Sequence, residues 1–262
     1  MSARYALIGH DISYSKSPWI HRFMAKKLHM DMTYDLLEVE ADELKDLIDD
    51  LREGLYQGFN VTIPYKEVII PYLDELTYKA KNIGAVNTIY IKNGIVYGDN
   101  TDYDGFVGLL ESNQINVRSK NVYILGTGGA AKAVYHALID LGANVTVVSR
   151  NLATKEKIFN HVIEYGEIKP HMVDIYVQAT PIGTYPNVNV SVLTKDEVEG
   201  KVVIDLIYNP LETQIMKDSK QGISGISMLI IQALKSEEIW FDQEIELTDQ
   251  LMKQLKEVIL DE

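Results

Sequence analysis

The feature that most constrains the fold of this chain is a glycine-rich turn between a strand pattern and a helix pattern. Asn121–Leu125 is a short apolar strand pattern, and the turn Gly126-Thr-Gly-Gly-Ala130 follows it directly. A helical pattern then extends to about Leu141, and Asn144–Val148 has the pattern of a second strand. Glycines in this context allow the backbone to approach a pyrophosphate, which the N–H groups at the start of the helix can bind. The stretch therefore predicts half of a dinucleotide-binding fold, with a plain strand-to-helix turn as the alternative.

The end of the second predicted strand indicates which nucleotide is bound. An NAD site usually has Asp or Glu there to bind the ribose hydroxyls, whereas an NADP site tends to have Arg. This chain has Ser149-Arg150, with Lys155 close behind, and no carboxylate at that position. The pattern favours NADP, and the alternative is a pair of solvated surface cations.

Composition limits the classes of protein that are possible. With 262 residues, 46% of them hydrophobic and 24% charged, the chain has the length and composition of a globular protein of one or two domains. No apolar run approaches the roughly 20 residues that span a bilayer, and the N-terminal residues have no signal-peptide pattern, so a cytoplasmic protein without membrane partners is expected. The absence of cysteine excludes disulfides and thiol catalysis, and the six histidines have no metal-ligand spacing, so no metal site is expected.

The net charge of −13 also has consequences for binding. It disfavours nucleic acid as a partner, because an acidic surface repels phosphate. An anionic substrate or cofactor must therefore bind where the chain gathers its own cations and N–H donors. The candidates are Lys66, Lys132, Arg150 and Lys155.

The N-terminal part has a β-α-β-α-β pattern, which predicts a largely parallel, helix-covered sheet. Its predicted elements are a strand at Tyr5–Ile8, a helix from Pro18 to about Leu28, a strand at Thr33–Val39, a helix at Ala41–Leu51 and a strand at Gly58–Ile63. Ser17 fits the N-cap of the first helix, and the alternative is that Ser15 and Ser17 hold a carboxylate with their hydroxyls. Asn60, Thr62 and Lys66 fall at a carboxyl strand end, where such sheets bind ligands.

The remainder of the chain adds one hairpin and several further elements. Asn93-Gly94 between two strand patterns predicts the hairpin. Asp99, Asp102 and Asp104 read alone indicate a turn or a helix cap. The other predicted elements are helices at Gly105 to about Asn113 and Thr154–Glu164, strands at Val173–Val177 and Lys201–Ile207, an apolar helix at Ser227–Trp240 and an amphipathic helix with Leu247, Leu251, Leu255 and Val258 on one stripe.

Several separated segments together resemble one family, the shikimate dehydrogenases, in the same order over nearly the whole chain. They are Ser15-Lys-Ser-Pro18, Asn60-Val-Thr-Ile-Pro-Tyr-Lys66, Gly84-Ala-Val-Asn-Thr88, Asp99-Asn-Thr-Asp102, Gly126-Thr-Gly-Gly-Ala130 and Met228 to Gln232. The resemblance implies an α/β fold with a mostly parallel-sheet substrate domain, residues 1–102 completed by helices in 225–262. It also implies an inserted Rossmann-type NADP-binding domain, residues 103–224.

The resemblance further implies a reaction and a set of site residues. The reaction is reversible NADP-dependent interconversion of shikimate and 3-dehydroshikimate in aromatic amino-acid biosynthesis, by a monomer or homodimer. Ser15 and Ser17 would bind the substrate carboxylate, and the remaining substrate contacts would be Thr62, Lys66, Asn87, Asp102, Tyr208 and Gln232. The cofactor contacts would be Gly126, Thr127, Gly128, Gly129, Ala130, Arg150, Asn151, Lys155, Thr180, Leu206 and Gly225.

Lys66 and Asp102 are the implied catalytic pair. Hydride leaving a carbinol carbon requires the hydroxyl proton to leave as well, and a lysine amine can take or return it. An adjacent carboxylate stabilises the charged lysine, so Asp102 is assigned mainly to orienting Lys66 and the substrate. Which of the two is the formal base is left open, and a surface ion pair is the structural alternative.

Three other functions compete with this interpretation. The first is a quinate/shikimate dehydrogenase that uses NAD, which Arg150 argues against. The second is a non-catalytic relative that senses NADP or a metabolite. Such a relative would be expected to lack Lys66 or Asp102, and this chain has both. The third is an unrelated Rossmann-type domain, for which the other motifs would be coincidence.

Overall fold

The computed structural model describes residues 2–150 and 159–261. Contacts between Cα atoms divide the chain into two compact units, Met1–Gly105 with Ile230–Glu262, and Phe106–Leu229. Among the described residues, no helix combines the length and the apolar character needed to cross a membrane.

The strands and helices are numbered in chain order. The strands are β1 Ala3–Gly9, β2 Met32–Glu38, β3 Gly58–Val61, β4 Glu75–Leu76, β5 Thr88–Lys92, β6 Ile95–Asp99, β7 Asn121–Leu125, β8 Asn144–Ser149, β9 Val162–Glu164, β10 Ile175–Gln178, β11 Val202–Asp205 and β12 Gln221–Ser224. The helices are α1 Ser17–Lys27, α2 Leu44–Arg52, α3 Tyr65–Val68, α4 Tyr78–Ile83, α5 Asp102–Ser112, α6 Gly129–Asp140, α7 Lys195–Val198, α8 Gln214–Asp218, α9 Ile226–Phe241 and α10 Asp249–Leu260.

The first unit is built on a mixed sheet with the strand order β2-β1-β3-β5-β6-β4. β1 pairs in parallel with both β2 and β3, whereas β5 is antiparallel to β3 and to β6. Alternate residues of β1 contribute to different hydrophobic clusters: Ala6 and Ile8 pack with α2, and Tyr5 and Leu7 pack with Tyr34 of β2. This alternation is the period of two that a strand covered on both faces requires.

The second unit contains an all-parallel sheet with the strand order β12-β11-β10-β7-β8-β9. Counted along the chain from β7, this is the 3-2-1-4-5-6 order of a dinucleotide-binding fold. The Rossmann-type prediction from the glycine turn is therefore confirmed in its topology. In such sheets the ligand binds beyond the carboxyl ends of the strands.

The local predictions were confirmed in some places and wrong in others. The hairpin turn is present, with Asn93 and Gly94 at φ values of 55° and 78° between β5 and β6. The helix predicted over Thr154–Glu164 is wrong at its end, because Val162–Glu164 forms the edge strand β9 beside β8, and residues 151–158 lie outside the described part. A three-residue strand at a sheet edge has too few residues to show a period of two in sequence.

Two helix details also differ from the sequence expectations. Ser17 is the first residue of α1 and not its N-cap, a position that Lys16 occupies without a side-chain hydrogen bond. The apolar stripe of α10 consists of Leu251, Leu255 and Ile259, whereas Leu247 precedes the helix and is exposed. A straight helix has 3.6 residues per turn, so the i, i+4, i+8 set stays on the buried face over this short length.

Candidate functional site

Lys66 and Asp102 form the centre of a polar cluster in the first unit. The chain leaves β3 at Val61 and turns into α3, which places Lys66 beyond the carboxyl end of that strand, while Asp102 begins α5 just after β6. The Lys66 Nζ and Asp102 Oδ2 atoms are 2.5 Å apart, and the two side chains are only 13% and 8% exposed. The alternative of a solvated surface pair does not describe a lysine and a carboxylate with this little exposure.

Asn87 extends the cluster from the loop between α4 and β5. Its Nδ2 atom lies 3.0 Å from Asp102 Oδ1 and 3.3 Å from Gln232 Oε1 on α9. Both oxygens of Asp102 thus accept hydrogen bonds, one from the Lys66 Nζ atom and one from the Asn87 amide. The structure brings together four of the predicted substrate-site residues, Lys66, Asn87, Asp102 and Gln232, from four separate parts of the chain.

Thr62, Ser15 and Ser17 lie elsewhere in the same unit. Thr62 follows β3 directly and is half-buried, with its methyl group packed against Gly9 of β1. The Ser15 hydroxyl oxygen accepts a hydrogen bond from the Ser17 N–H at 3.3 Å, which accounts for the start of α1 without a cap from Ser17. No hydrogen bond joins either serine to Lys66 or Asp102 in the described part of the chain, so a shared ligand site for them stays a prediction.

Beneath this cluster lies a second set of buried polar residues, whose grouping the sequence did not predict. Asn60, Thr88, Thr101 and Ser236 are each 5% exposed or less. Asn60, Thr88 and Thr101 stand inside the motifs that carried the family resemblance, and Asn60 was expected at a ligand-binding strand end, but no contact among them was predicted. Ser236 had one signal, since it lies one helical turn after Gln232 and so on the same face of α9.

The predicted cofactor residues of the second unit gather at the carboxyl edge of its parallel sheet. Each follows a strand directly or by a few residues: Gly126 to Ala130 follow β7, Arg150 follows β8, Thr180 follows β10, Leu206 follows β11 and Gly225 follows β12. This is the edge at which a doubly wound sheet binds a nucleotide. Asn151 and Lys155 lie outside the described residues.

The glycines at this edge meet the requirements of a phosphate-binding turn. Gly126 has a φ of 116°, a conformation that favours glycine, and a Cβ there would lie 3.1 Å from the Ala179 carbonyl oxygen. Gly128 is the N-cap of α6, and a Cβ on it would meet no atom within 4 Å. The first turn of α6 has no acidic residue and no side-chain cap, so its N–H groups and helix dipole are available to an anion. These features fit a dinucleotide pyrophosphate.

Arg150 and Tyr208 complete the predicted set. Arg150 is exposed immediately after β8, with Ser149 rather than a carboxylate before it. Its positive charge acts on Tyr165, where it opposes the upward shift of the pKa that burial causes. Tyr208 is half-buried after β11 in the second unit, and its contact with substrate stays a prediction.

Comparisons with known proteins place the chain in a family. A family model described as the shikimate dehydrogenase substrate binding domain matches residues 7–89. A shikimate dehydrogenase (NADP(+)) of Clostridium beijerinckii is 41% identical over 267 residues, with 98% of each chain covered. The chain belongs to the shikimate dehydrogenase family. A model described as coenzyme F420-dependent NADP oxidoreductase also matches residues 121–209, which contain the glycine turn.

Solved structures of shikimate dehydrogenases have the same fold. Shikimate dehydrogenase 1 from Peptoclostridium difficile is 36% identical with a TM-score of 0.90, and covers 99% of this chain and 98% of its own. A shikimate dehydrogenase solved in complex with NADP⁺ is 35% identical with a TM-score of 0.92, covering 99% of this chain and 95% of its own. An unrelated Rossmann-type domain, the third alternative from the sequence, is therefore excluded.

Proposed function

We propose that this shikimate dehydrogenase family member catalyses the reversible NADP-dependent oxidation of shikimate to 3-dehydroshikimate, with reduction as the biosynthetic direction. The observation that carries the proposal is the buried Lys66–Asp102 pair, joined by Asn87 to Gln232. Such a pair is suited to moving a proton at a carbinol oxygen. Family membership supplies the substrate class.

The proton chemistry is assigned to Lys66 and Asp102. When bound, NADP⁺ supplies the hydride acceptor. In the oxidation the hydroxyl proton of the substrate passes to the Lys66–Asp102 pair, and in the reduction the pair returns a proton to the carbonyl oxygen. Asp102 accepts hydrogen bonds from Lys66 on one oxygen and from Asn87 on the other, which fixes the direction in which the Lys66 amine points.

The remaining residues bind the two ligands. Ser15 and Ser17 hold the substrate carboxylate, and Thr62, Asn87, Gln232 and Tyr208 hold its hydroxyl groups. The first-turn N–H groups of α6 bind the NADP pyrophosphate, and Arg150 binds the 2′-phosphate, with Asn151, Lys155, Thr180, Leu206 and Gly225 as further contacts. Residues 1–102 and 225–262 are accordingly proposed as the substrate domain, and residues 103–224 as the NADP domain.

The partners proposed for the chain are small molecules only. The net charge of −13 disfavours nucleic acid, because the phosphate backbone would be repelled. The protein is proposed to work in the cytoplasm as a monomer or homodimer.

The proposal is tested by an absorbance assay at about 340 nm, the wavelength at which reduced nicotinamide absorbs. Purified protein is mixed with shikimate or quinate and with NADP⁺ or NAD⁺, in all four combinations. Activity mainly with shikimate and NADP⁺ is expected. Comparable turnover of quinate or NAD⁺ would point to the broader-specificity dehydrogenase. Nucleotide binding without turnover in any combination would point to a sensing role and refute the proposal.

A further inference from the structure

The residues beneath the Lys66–Asp102 pair form a closed hydrogen-bonded layer, which we call the hydroxyl layer. It consists of Asn60, Thr88, Thr101 and Ser236, and three of the four side chains have no exposed surface. Ser236 lies within 2.9 Å of Asn60 Nδ2, 2.8 Å of Thr88 Oγ1 and 3.1 Å of Thr101 Oγ1. It therefore connects α9 with β3, with β5 and with the residue before Asp102.

The hydrogen atoms of the layer can be assigned from its acceptors. The Ser236 hydroxyl lies 3.0 Å from the Gln232 carbonyl oxygen, which can only accept, so Ser236 donates there. Its oxygen then accepts from Asn60 and from one of the two threonine hydroxyls. The other threonine hydroxyl has two acceptors within reach: Asn87 Oδ1, at 3.0 Å from Thr88 or 3.2 Å from Thr101, and the oxygen of the first threonine at 3.2 Å.

The two neighbours of the Asn87 side chain, the Thr101 N–H and the Asp102 carboxylate, determine which way its amide points. Asn87 Oδ1 accepts the Thr101 N–H at 2.7 Å, so the oxygen faces a backbone donor in every arrangement of the threonine hydroxyls. A flipped amide would place its NH₂ group against that N–H and its oxygen against the Asp102 carboxylate. The NH₂ group therefore donates to Asp102 Oδ1 at 3.0 Å, which leaves Oδ2 for Lys66.

The orientation of Asn60 is determined in the same way from the other side. The Tyr34 hydroxyl donates to Asn60 Oδ1 at 2.7 Å, and the Tyr34 ring is stacked on His21 with 4.0 Å between centroids. The Asn60 NH₂ group is thus directed at Ser236. Asn60 and Ser236 therefore have defined donor and acceptor roles. The two threonines do not, because either hydroxyl can be the one that donates to Ser236.

We propose that Ser236 is a positioning residue for the reaction. Its hydroxyl engages one threonine so that the other donates to Asn87, and it seats α9 so that Gln232 reaches Asn87. Through Asn87 it holds Asp102, and through Asp102 it holds Lys66. The inference rests on the proposed function for its kinetic consequence, but the orientation of Asn87 can be measured without turnover.

The kinetic test compares Ser236→Ala with the wild-type protein at saturating NADP⁺. We expect kcat for shikimate to fall about tenfold, because small displacements of a reacting group cost one to two orders of magnitude in rate. The KM for NADP⁺ should stay within about twofold, because Ser236 is proposed to act on the proton-transfer pair and not on the cofactor site. A general loss of packing would change both kcat and this KM. Ser219→Ala is the matched control, because it also removes a hydroxyl bonded to a helix carbonyl, Met216 O at 2.7 Å, but in the second unit.

A second pair of variants separates hydrogen bonding from packing. Thr101→Val keeps the shape of the side chain and removes its hydroxyl, whereas Thr101→Ser keeps the hydroxyl. We expect Thr101→Val to lower kcat about as much as Ser236→Ala and Thr101→Ser to restore most of it. The double variant Ser236→Ala/Thr101→Val should lose little more than either single variant, because both act through the same amide. If the two losses in kcat multiplied in the double variant, the residues would act independently, and a shared route through Asn87 would be overturned.

The orientation test uses NMR of the Asn87 side-chain amide, assigned by its loss in Asn87→Asp. We expect its protons to exchange with solvent at least about tenfold faster in Ser236→Ala than in the wild-type protein, because the amide loses its defined partners. Unchanged exchange together with unchanged kcat would overturn the proposal. If the wild-type protein does not oxidise shikimate, the proposed function fails, and the exchange rates alone decide whether Ser236 orients Asn87.

Discussion

The two candidate ligand sites of this protein are built from different kinds of group, buried side chains in one and backbone groups in the other. In the first unit, Asn87, Asp102 and the hydroxyl layer are side chains that hydrogen-bond one another and have almost no contact with solvent. At the carboxyl edge of the second sheet, the main features are Gly126, Gly128 and Gly225, where a side chain is missing and backbone groups are presented. A network of side chains is damaged when an atom is removed, because its partner is left buried and unpaired. A backbone site is damaged when an atom is added.

The largest effect of removing atoms is expected at Lys66. Lys66→Ala should lower kcat by roughly 10² to 10⁴, the usual contribution of a positioned proton donor or acceptor. Shikimate affinity, measured by calorimetry, should stay within a few-fold. Lys79→Ala is the matched control, because Lys79 also pairs with an aspartate, Asp104, but outside the proposed site. A Lys66→Ala variant with near-normal turnover would remove Lys66 from the mechanism.

Arg150 is the exception in the second unit, since it contributes a side chain to a site otherwise built from backbone. Arg150→Ala should weaken NADP binding at least about tenfold, or ~1.4 kcal/mol, because a charge-assisted contact to the 2′-phosphate is lost. NAD binding should be nearly unchanged, and the exposed Arg118→Ala serves as control. Equal losses for NAD and NADP would show that Arg150 does not recognise that phosphate.

The two serines test whether the first site extends to the start of α1. Replacing both Ser15 and Ser17 by Ala should raise the shikimate KM about tenfold, because hydrogen bonds to a charged carboxylate contribute roughly 1.5 to 3 kcal/mol. The kcat should change little, since these hydroxyls would bind ground and transition states alike. An unchanged KM would limit Ser15 to its bond with the Ser17 N–H.

Two glycine variants examine the effect of added atoms. Gly128→Ala should leave the melting temperature nearly unchanged, because its Cβ has no atom within 4 Å, but should weaken NADP several-fold by filling the space before α6. Gly225→Ala should lower the melting temperature, because its Cβ would lie 2.4 Å from the Leu206 carbonyl oxygen. Gly166→Ala is the control, since its Cβ also meets nothing. Full NADP affinity in Gly128→Ala would contradict the backbone site.

Removing the charge of a buried carboxyl group in the second unit should stabilise the protein, whereas removing groups from the first site should damage it. Burial raises the pKa of Asp205 from 3.8 to about 6, although hydrogen bonds from Thr213 and the Ile207 N–H oppose the shift. A carboxyl pKa that is higher in the folded state favours folding at low pH, and this contribution is lost as pH rises from about 4 to 6. Asp205→Asn should therefore raise the free energy of unfolding by up to about 3 kcal/mol at pH 7 and by almost nothing near pH 4. Urea titrations at both pH values measure this, and a lower stability at pH 7 would show that the hydrogen bonds outweigh burial.

How much of the site could be predicted from sequence depended on how local each feature is. Gly126 to Ala130 lie within one turn, and a glycine turn between a strand and a helix has few structural solutions. Ser236 and Asn60, by contrast, are separated by 176 residues and meet through a 2.9 Å hydrogen bond. Serine and asparagine are common at surfaces and caps, so neither residue type by itself indicates a buried layer.

The sequence by itself determined the β-α-β-α-β order of the N-terminal part, four of the six strands of the Rossmann-type sheet, the hairpin at Asn93-Gly94 and the family. These features depend on local periodicity, turn chemistry and segments in fixed order. Only the tertiary structure decided that the Lys66–Asp102 pair is buried, that Asn87 presents its NH₂ group to Asp102, and that Ser17 begins α1 without capping it. The physical reason is that burial and hydrogen-bond direction are set by whatever other parts of the chain supply around a residue. Those neighbours exist only after the sheet and α9 have packed together.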